Sequence, residues 1–209
     1  MARATGPLLS LDASGSIAGA VTFSKWKGRN YVRQLVIPKN PKSAKQLGVR
    51  AMMKYLSQIW ASIGAVPQAS WDDLAEAKNI SPFNAFTAEN LARWQSNKGP
   101  THTYPAAEAD TPGAVTSNTP TGHAGYATIA VVLPETADRV GFILCRDTAE
   151  ITVPGWHNAI LAYPDDGTAH TVNVTDSPLD PGTYHYRAAA FTVDGIIGTF
   201  AADASDTVT

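Results

Sequence analysis

The spacing of hydrophobic and polar positions changes twice along the chain. In SGSIAGAVTFSKWKGRNYVRQLVIP, glycines 15, 19 and 28 punctuate short runs of β-branched and aromatic residues. Ile17, Val21 and Phe23 nearly alternate with small or polar residues, and Tyr31, Arg33, Leu35 and Ile37 fall on one side of a strand. KWKGRNYV predicts a hairpin turning near Gly28–Asn30. From about residue 40 the spacing becomes helical. Val49, Met52, Leu56, Ile59, Trp60 and Ile63 share one face, and Phe83, Phe86, Asn90, Leu91 and Trp94 share another. A shorter helix, WDDLAEAK, lies between them, with Asp72, Asp73 and Glu76 complementing its N-terminus. Ser43 with Gln46 predicts a capping box, Ser70 a cap for the second helix, and Ser81-Pro82 a cap followed by proline at the first helical position. Gly64 and Pro67 end the first helix. Trp60, Trp71 and Trp94 are expected to seed one small core.

Between Gly99 and Gly122 there are prolines but no periodic apolar run, which predicts a semi-rigid linker. Beyond it the pattern is that of strands: ATIAVVLP, RVGFILCR, AILAY, HTVNVTD, TYHYRAAAFTV and GTFAADASDTV, separated by turn clusters such as PDDG, SPLDPG and VDG. About seven short strands at this spacing predict an antiparallel β-sandwich. The fold class read from the sequence is therefore α+β and multi-module. An N-terminal arm and β-hairpin occupies residues 1–38, a small three-helix anchor domain 39–99, a Pro-rich linker 100–113, and the sandwich 114–209.

Composition narrows the function classes. Of 209 residues only 16% are charged, against about 25% in an average soluble domain. The single cysteine, Cys145, excludes an internal disulfide framework and a cysteine-based zinc cluster. No apolar run approaches the length of a membrane span, and MARATGPLLSLDASGS is a poor match to a secretory leader. The net charge of −2 conceals an asymmetry. Residues 1–100 carry 13 basic and 5 acidic residues, whereas residues 101–209 carry 3 and 13. From Lys25 to Lys54 there are nine basic residues and no acidic one.

Two resemblances follow from these segments. LDPGTYHYRAAAFTVDG, at Leu179–Gly195, and the strand VGFILCRD resemble fibronectin type III and related immunoglobulin-like domains. The family's corner tyrosine falls where this chain has His185, flanked by Tyr184 and Tyr186, so the resemblance assigns the corner to neither. The family's early core tryptophan is absent from ATIAVVLP. This resemblance implies a fold and almost nothing about function. Residues 15–94 resemble a module of uncharacterised tailed-bacteriophage and prophage proteins. The residues that carry it are Trp26-Lys27-Gly28, Tyr31-Val32-Arg33, Pro38 to Gln46, Arg50, Trp60, Trp71 and Asn84-Ala85-Phe86. VPQASW stands where that module often has a Leu-Thr-x-x-Gln segment before its second tryptophan. The resemblance implies virion or prophage-encoded structure rather than chemistry.

Catalytic signals are weak. The histidines at 102, 123, 157, 170 and 185 show no metal-binding spacing, and GSIAG lacks the serine position and context of a nucleophile elbow. There is no phosphate-binding glycine loop. Asp165-Asp166 and Asp176/Asp180 read as turn carboxylates, and Cys145 as a small buried hydrophobe. The chain is thus expected to be no enzyme and to use no cofactor or metal.

The basic run admits three readings: a solvated helix face, a docking surface for acidic protein, or a nucleic-acid contact. The docking reading places Lys25, Trp26, Lys27, Arg29, Tyr31, Arg33, Lys39 and Lys42 against a partner. The acidic C-terminal half weighs against nucleic acid. The expected function is that of a bacteriophage virion structural protein, assembled in the bacterial host cytoplasm: a capsid decoration or accessory head or tail component. It would be present in many copies against capsid or tail proteins. The alternatives are a carbohydrate-binding adhesin stacking glycan on Trp156, His157 and Tyr163, and a DNA-binding packaging or ejection factor.

Overall fold

Two stretches of the chain fold around different centres, Met1–Pro41 and Lys42–Thr209. The computed structural model describes residues 3–4, 13–37, 43–136, 138–165 and 167–209.

The first unit is an antiparallel sheet of β1 (Arg3–Ala4), β2 (Ala13–Ile17), β3 (Val21–Trp26) and β4 (Arg29–Gln34), paired in chain order. The hairpin turns at Lys27-Gly28, both with positive φ (48° and 80°). That is the backbone of a type I′ turn, whose twist matches that of the strands it joins. The turn therefore falls ahead of the predicted position, and Asn30 lies within β4, opposite Lys25.

The second unit begins with α1 (Ala44–Trp60), α2 (Ala65–Ala69), α3 (Asp72–Lys78) and α4 (Pro82–Gln95). Of the predicted caps only Ser81 forms as expected, accepting from the Asn84 N–H at 3.3 Å. The Ser43 side chain makes no cap bond, so the capping box is absent. Trp71, not Ser70, occupies the N-cap position of α3 and makes no side-chain cap bond; the Ser70 hydroxyl donates to the Pro67 carbonyl at 2.6 Å. Pro67 lies in the first turn of α2, where a missing N–H costs nothing.

Seven strands follow: β5 (Ser117–His123), β6 (Tyr126–Leu133), β7 (Arg139–Asp147), β8 (Ala159–Pro164), β9 (His170–Asp176), β10 (Gly182–Thr192) and β11 (Ala204–Val208). They form two antiparallel sheets of order β5-β6-β9 and β11-β10-β7-β8. Pro120 is accommodated on β5, an edge strand.

Strand burial explains the sequence pattern. β6 alternates, burying Ala127, Ile129, Val131 and Leu133 against the other sheet. β7 and β10 instead carry unbroken apolar runs, because both of their faces are covered. Phe142, Leu144, Ala188 and Ala190 enter the core between the sheets. Ile143, Cys145, Ala189 and Phe191 enter a second core with Met52, Tyr55, Leu56 and Ile59 of α1, together with Trp71, Phe86 and Trp94. Trp60 packs partly buried on Phe83 and Phe86.

The helices and the sheets, read from the sequence as modules on either side of a linker, thus share a core. Residues 100–113 are not a spacer between them. Asn90 clamps Thr101 at both backbone groups (2.7 and 3.0 Å), and the Trp71 indole donates to the His102 carbonyl at 2.9 Å. The Tyr104 N–H donates to Ser70 Oγ, and the Thr192 hydroxyl to the Asp110 carbonyl. Arg93 spans Gly99, Glu108 and Gly195. Side chains here satisfy a backbone that has no periodic pattern of its own.

Candidate docking surface

In an antiparallel pair, directly opposed residues point to the same side. The register Trp26↔Arg29, Ser24↔Tyr31 and Thr22↔Arg33 therefore gathers Trp26, Arg29, Tyr31 and Arg33 on one face of the β3–β4 ladder. The intervening pairs Phe23↔Val32 and Ile17↔Val21 set four apolar side chains on the other. Lys25 shares that apolar face, and Lys27 sits in the turn. Sequence alternation separated the faces only in part, because the turn position fixes which residues oppose each other.

Both faces are open. Among the described residues of this sheet no side chain is fully buried; Trp26 is 66% exposed and Val32 52%. Val36 and Ile37, just beyond β4, are 70% and 81% exposed. The aromatics are held by cations: Lys27 Nζ lies 4.8 Å from the Trp26 ring centre and the Arg33 guanidinium 5.9 Å from that of Tyr31. Among the described residues, Lys25, Lys27, Arg29 and Arg33 form no ion pair. β4 also ends the sheet, leaving one side of its backbone without a strand partner among the described residues. Five of the eight residues expected to dock therefore lie on this one ladder, four of them on one face, and Lys27 lies in its turn. Lys39 and Lys42 lie outside the described residues.

The glycan-stacking trio does not form one platform. Trp156 is half-buried, packed against the helix–sheet core, and its backbone N–H donates to Asn97 Oδ1 at 3.1 Å. It lines a depression of about 180 Å³ with Trp94, Ile143 and Phe200. His157 is exposed and meets it edge-on, with ring centres 6.3 Å apart. Tyr163 lines a different depression, beside Asp165 and His170.

Two clusters of polar side chains in the sandwich are internally engaged. Asp165 is a turn carboxylate, accepting from the Gly167 N–H at 3.1 Å, but its side chain is also buried: the same oxygen pairs with the fully buried Arg139, and the other lies 3.0 Å from His170 Nε2. Arg139 also donates to the Thr168 carbonyl at 2.6 Å. Asp176 accepts from Arg146 at 2.8 Å and from the Tyr186 hydroxyl at 3.0 Å. Sequence spacing missed both clusters because their members are far apart along the chain. His185 pairs with Asp203 at 2.6 Å, and His123 stacks on Tyr126. Burial pushes the His102 imidazole down to about 4 and the Cys145 thiol up to about 12. Among the described residues, no group of three or more His, Cys, Asp or Glu is placed to hold a metal ion. No described helix is long and apolar enough to cross a membrane. No protein-family model matches the chain. No curated protein matches it.

Proposed function

We propose that the chain is a non-enzymatic structural protein of a tailed-bacteriophage virion, a decoration or accessory head or tail component that docks through its N-terminal sheet. The observation that carries this reading is the sheet itself. Strands Ala13–Gln34 leave no side chain fully buried among their described residues, yet present an apolar face and an aromatic–cationic face. A small sheet without a core is marginal in water and gains stability by being covered. The resemblance of residues 15–94 to tailed-phage modules supplies the setting.

The displayed part is the body Lys42–Thr209, with helices laid over one sheet. In strand adjacency its sheets, β5-β6-β9 and β11-β10-β7-β8, match the A-B-E and C-F-G groupings of immunoglobulin-like sandwiches, which supports a fold of that kind for residues 114–209. Tyr184 fits the corner role, since its hydroxyl donates to the Asp180 carbonyl at 3.0 Å, four residues upstream.

Mass spectrometry of purified particles tests the proposal. The protein is expected among the capsid or tail proteins, and Arg29→Glu/Arg33→Glu is expected to be underrepresented in particles although soluble. Absence of the wild-type protein from virions would sink the reading.

A further inference from the structure

The charge of the chain is divided along the boundary between its units. Met1–Pro41 holds six basic residues and one acidic, a net +5. Lys42–Thr209 holds ten basic and seventeen acidic, a net −7. Within the body, many of the cations are already spent on internal pairs: Lys78 with Glu89, Arg93 and Lys98 with Glu108, Arg139 with Asp165, and Arg146 with Asp176. What the body offers a visitor is thus predominantly carboxylate. The sheet is the converse, since its described residues include five cations, Arg3, Lys25, Lys27, Arg29 and Arg33, and no acid.

We infer that the aromatic–cationic face of the N-terminal sheet, built by Trp26, Arg29, Tyr31 and Arg33, docks on the acidic body of a second copy of this chain. The inference rests on the reading of this sheet as a docking element and names its partner. Two sheets cannot meet through this face, because Arg29 and Arg33 would oppose their own copies. A polyanion such as nucleic acid also suits the aromatics, and binding to it is one outcome of the test below. Guanidinium groups tolerate interface burial and pair with carboxylates in two-pronged fashion. The contact joins unlike surfaces, the sheet of one copy to the body of the next, so it closes as a reciprocal two-fold dimer or propagates into a ring or array according to how the two are placed.

Sedimentation of the full chain over a concentration series tests this, at about 0.05 M and about 0.5 M salt, where screening differs severalfold. Self-association is expected at low salt, with a dissociation constant at least about tenfold weaker at high salt. Arg29→Glu/Arg33→Glu should remain monomeric in both, while Val32→Thr, on the opposite face, should associate as the wild type does. A monomer at every concentration, salt-independent association, or association lost in Val32→Thr but kept in the arginine variant would each overturn the inference. So would a chain that stays monomeric while binding a single-stranded oligonucleotide in a salt-sensitive way. A monomer that is nevertheless found in particles overturns this contact and leaves the virion reading standing; a salt-sensitive oligomer absent from particles does the reverse.

Discussion

Gly48, in the middle of α1, lies against the backbone carbonyl of Trp156, so closely that a Cβ on it would overlap that oxygen. Its own carbonyl accepts the Trp94 indole N–H at 3.1 Å. One residue without a side chain thus brings α1 against both α4 and the loop before β8. A mid-helix glycine costs about 1 kcal/mol relative to alanine, so close approach is the reason for it.

Gly48→Ala is therefore expected to destabilise the body despite its better helix propensity, by about 1–3 kcal/mol, the usual cost of overpacking. The urea midpoint should fall. A rise would show that α1 is free to move off the Trp156 loop.

The buried Arg139–Asp165 pair makes a second prediction. Asp165→Asn leaves a fully buried guanidinium without its counter-charge and should cost about 3–5 kcal/mol. Thermal denaturation checks this; a near-wild-type midpoint would mean the arginine finds water.

Tyr184 and Tyr186 point from neighbouring positions of β10 to acceptors of different kind. Tyr184→Phe loses a neutral bond to a carbonyl, worth about 0.5–1.5 kcal/mol. Tyr186→Phe loses a bond to the Asp176 carboxylate in a buried site, worth about 1.5–3 kcal/mol. Equilibrium unfolding of both variants should rank Tyr186→Phe as the more damaging; the opposite order would contradict the assignment of the two bonds.

His102 sets an acid dependence. Burial depresses its folded-state pKa from 6.5 to about 4, so between these values the unfolded chain binds the extra proton. Its contribution is complete above pH 6.5 and is lost progressively as pH falls toward 4, on the order of 3 kcal/mol in all. His102→Gln should flatten the stability profile in that window. An unchanged slope would place the acid sensitivity elsewhere.

Much of this protein is legible residue by residue. The apolar spacing of Met52, Leu56 and Ile59, the Ser81-Pro82 start of α4, and the alternation of Ile129, Val131 and Leu133 each reflect a local period. The charge partition and the β-hairpin are likewise properties of short stretches. The sequence by itself thus determined the strongly periodic elements and the sign of each half, because periodicity and charge act over a few residues, whereas the short α2 and the polar, Pro-containing β5 carry no such period and escape that reading. Only the tertiary structure decided where faces meet. GFILC and AAAF already carry the mark of strands covered on both sides, but not what covers them. That α1 lies on one sheet, that Asn90 and Trp71 bind the segment read as a linker, and that a turn at Lys27-Gly28 aligns Trp26, Arg29, Tyr31 and Arg33 are long-range or register-dependent facts. A shift of one residue in that register would exchange the two faces of the sheet, and no local pattern fixes it.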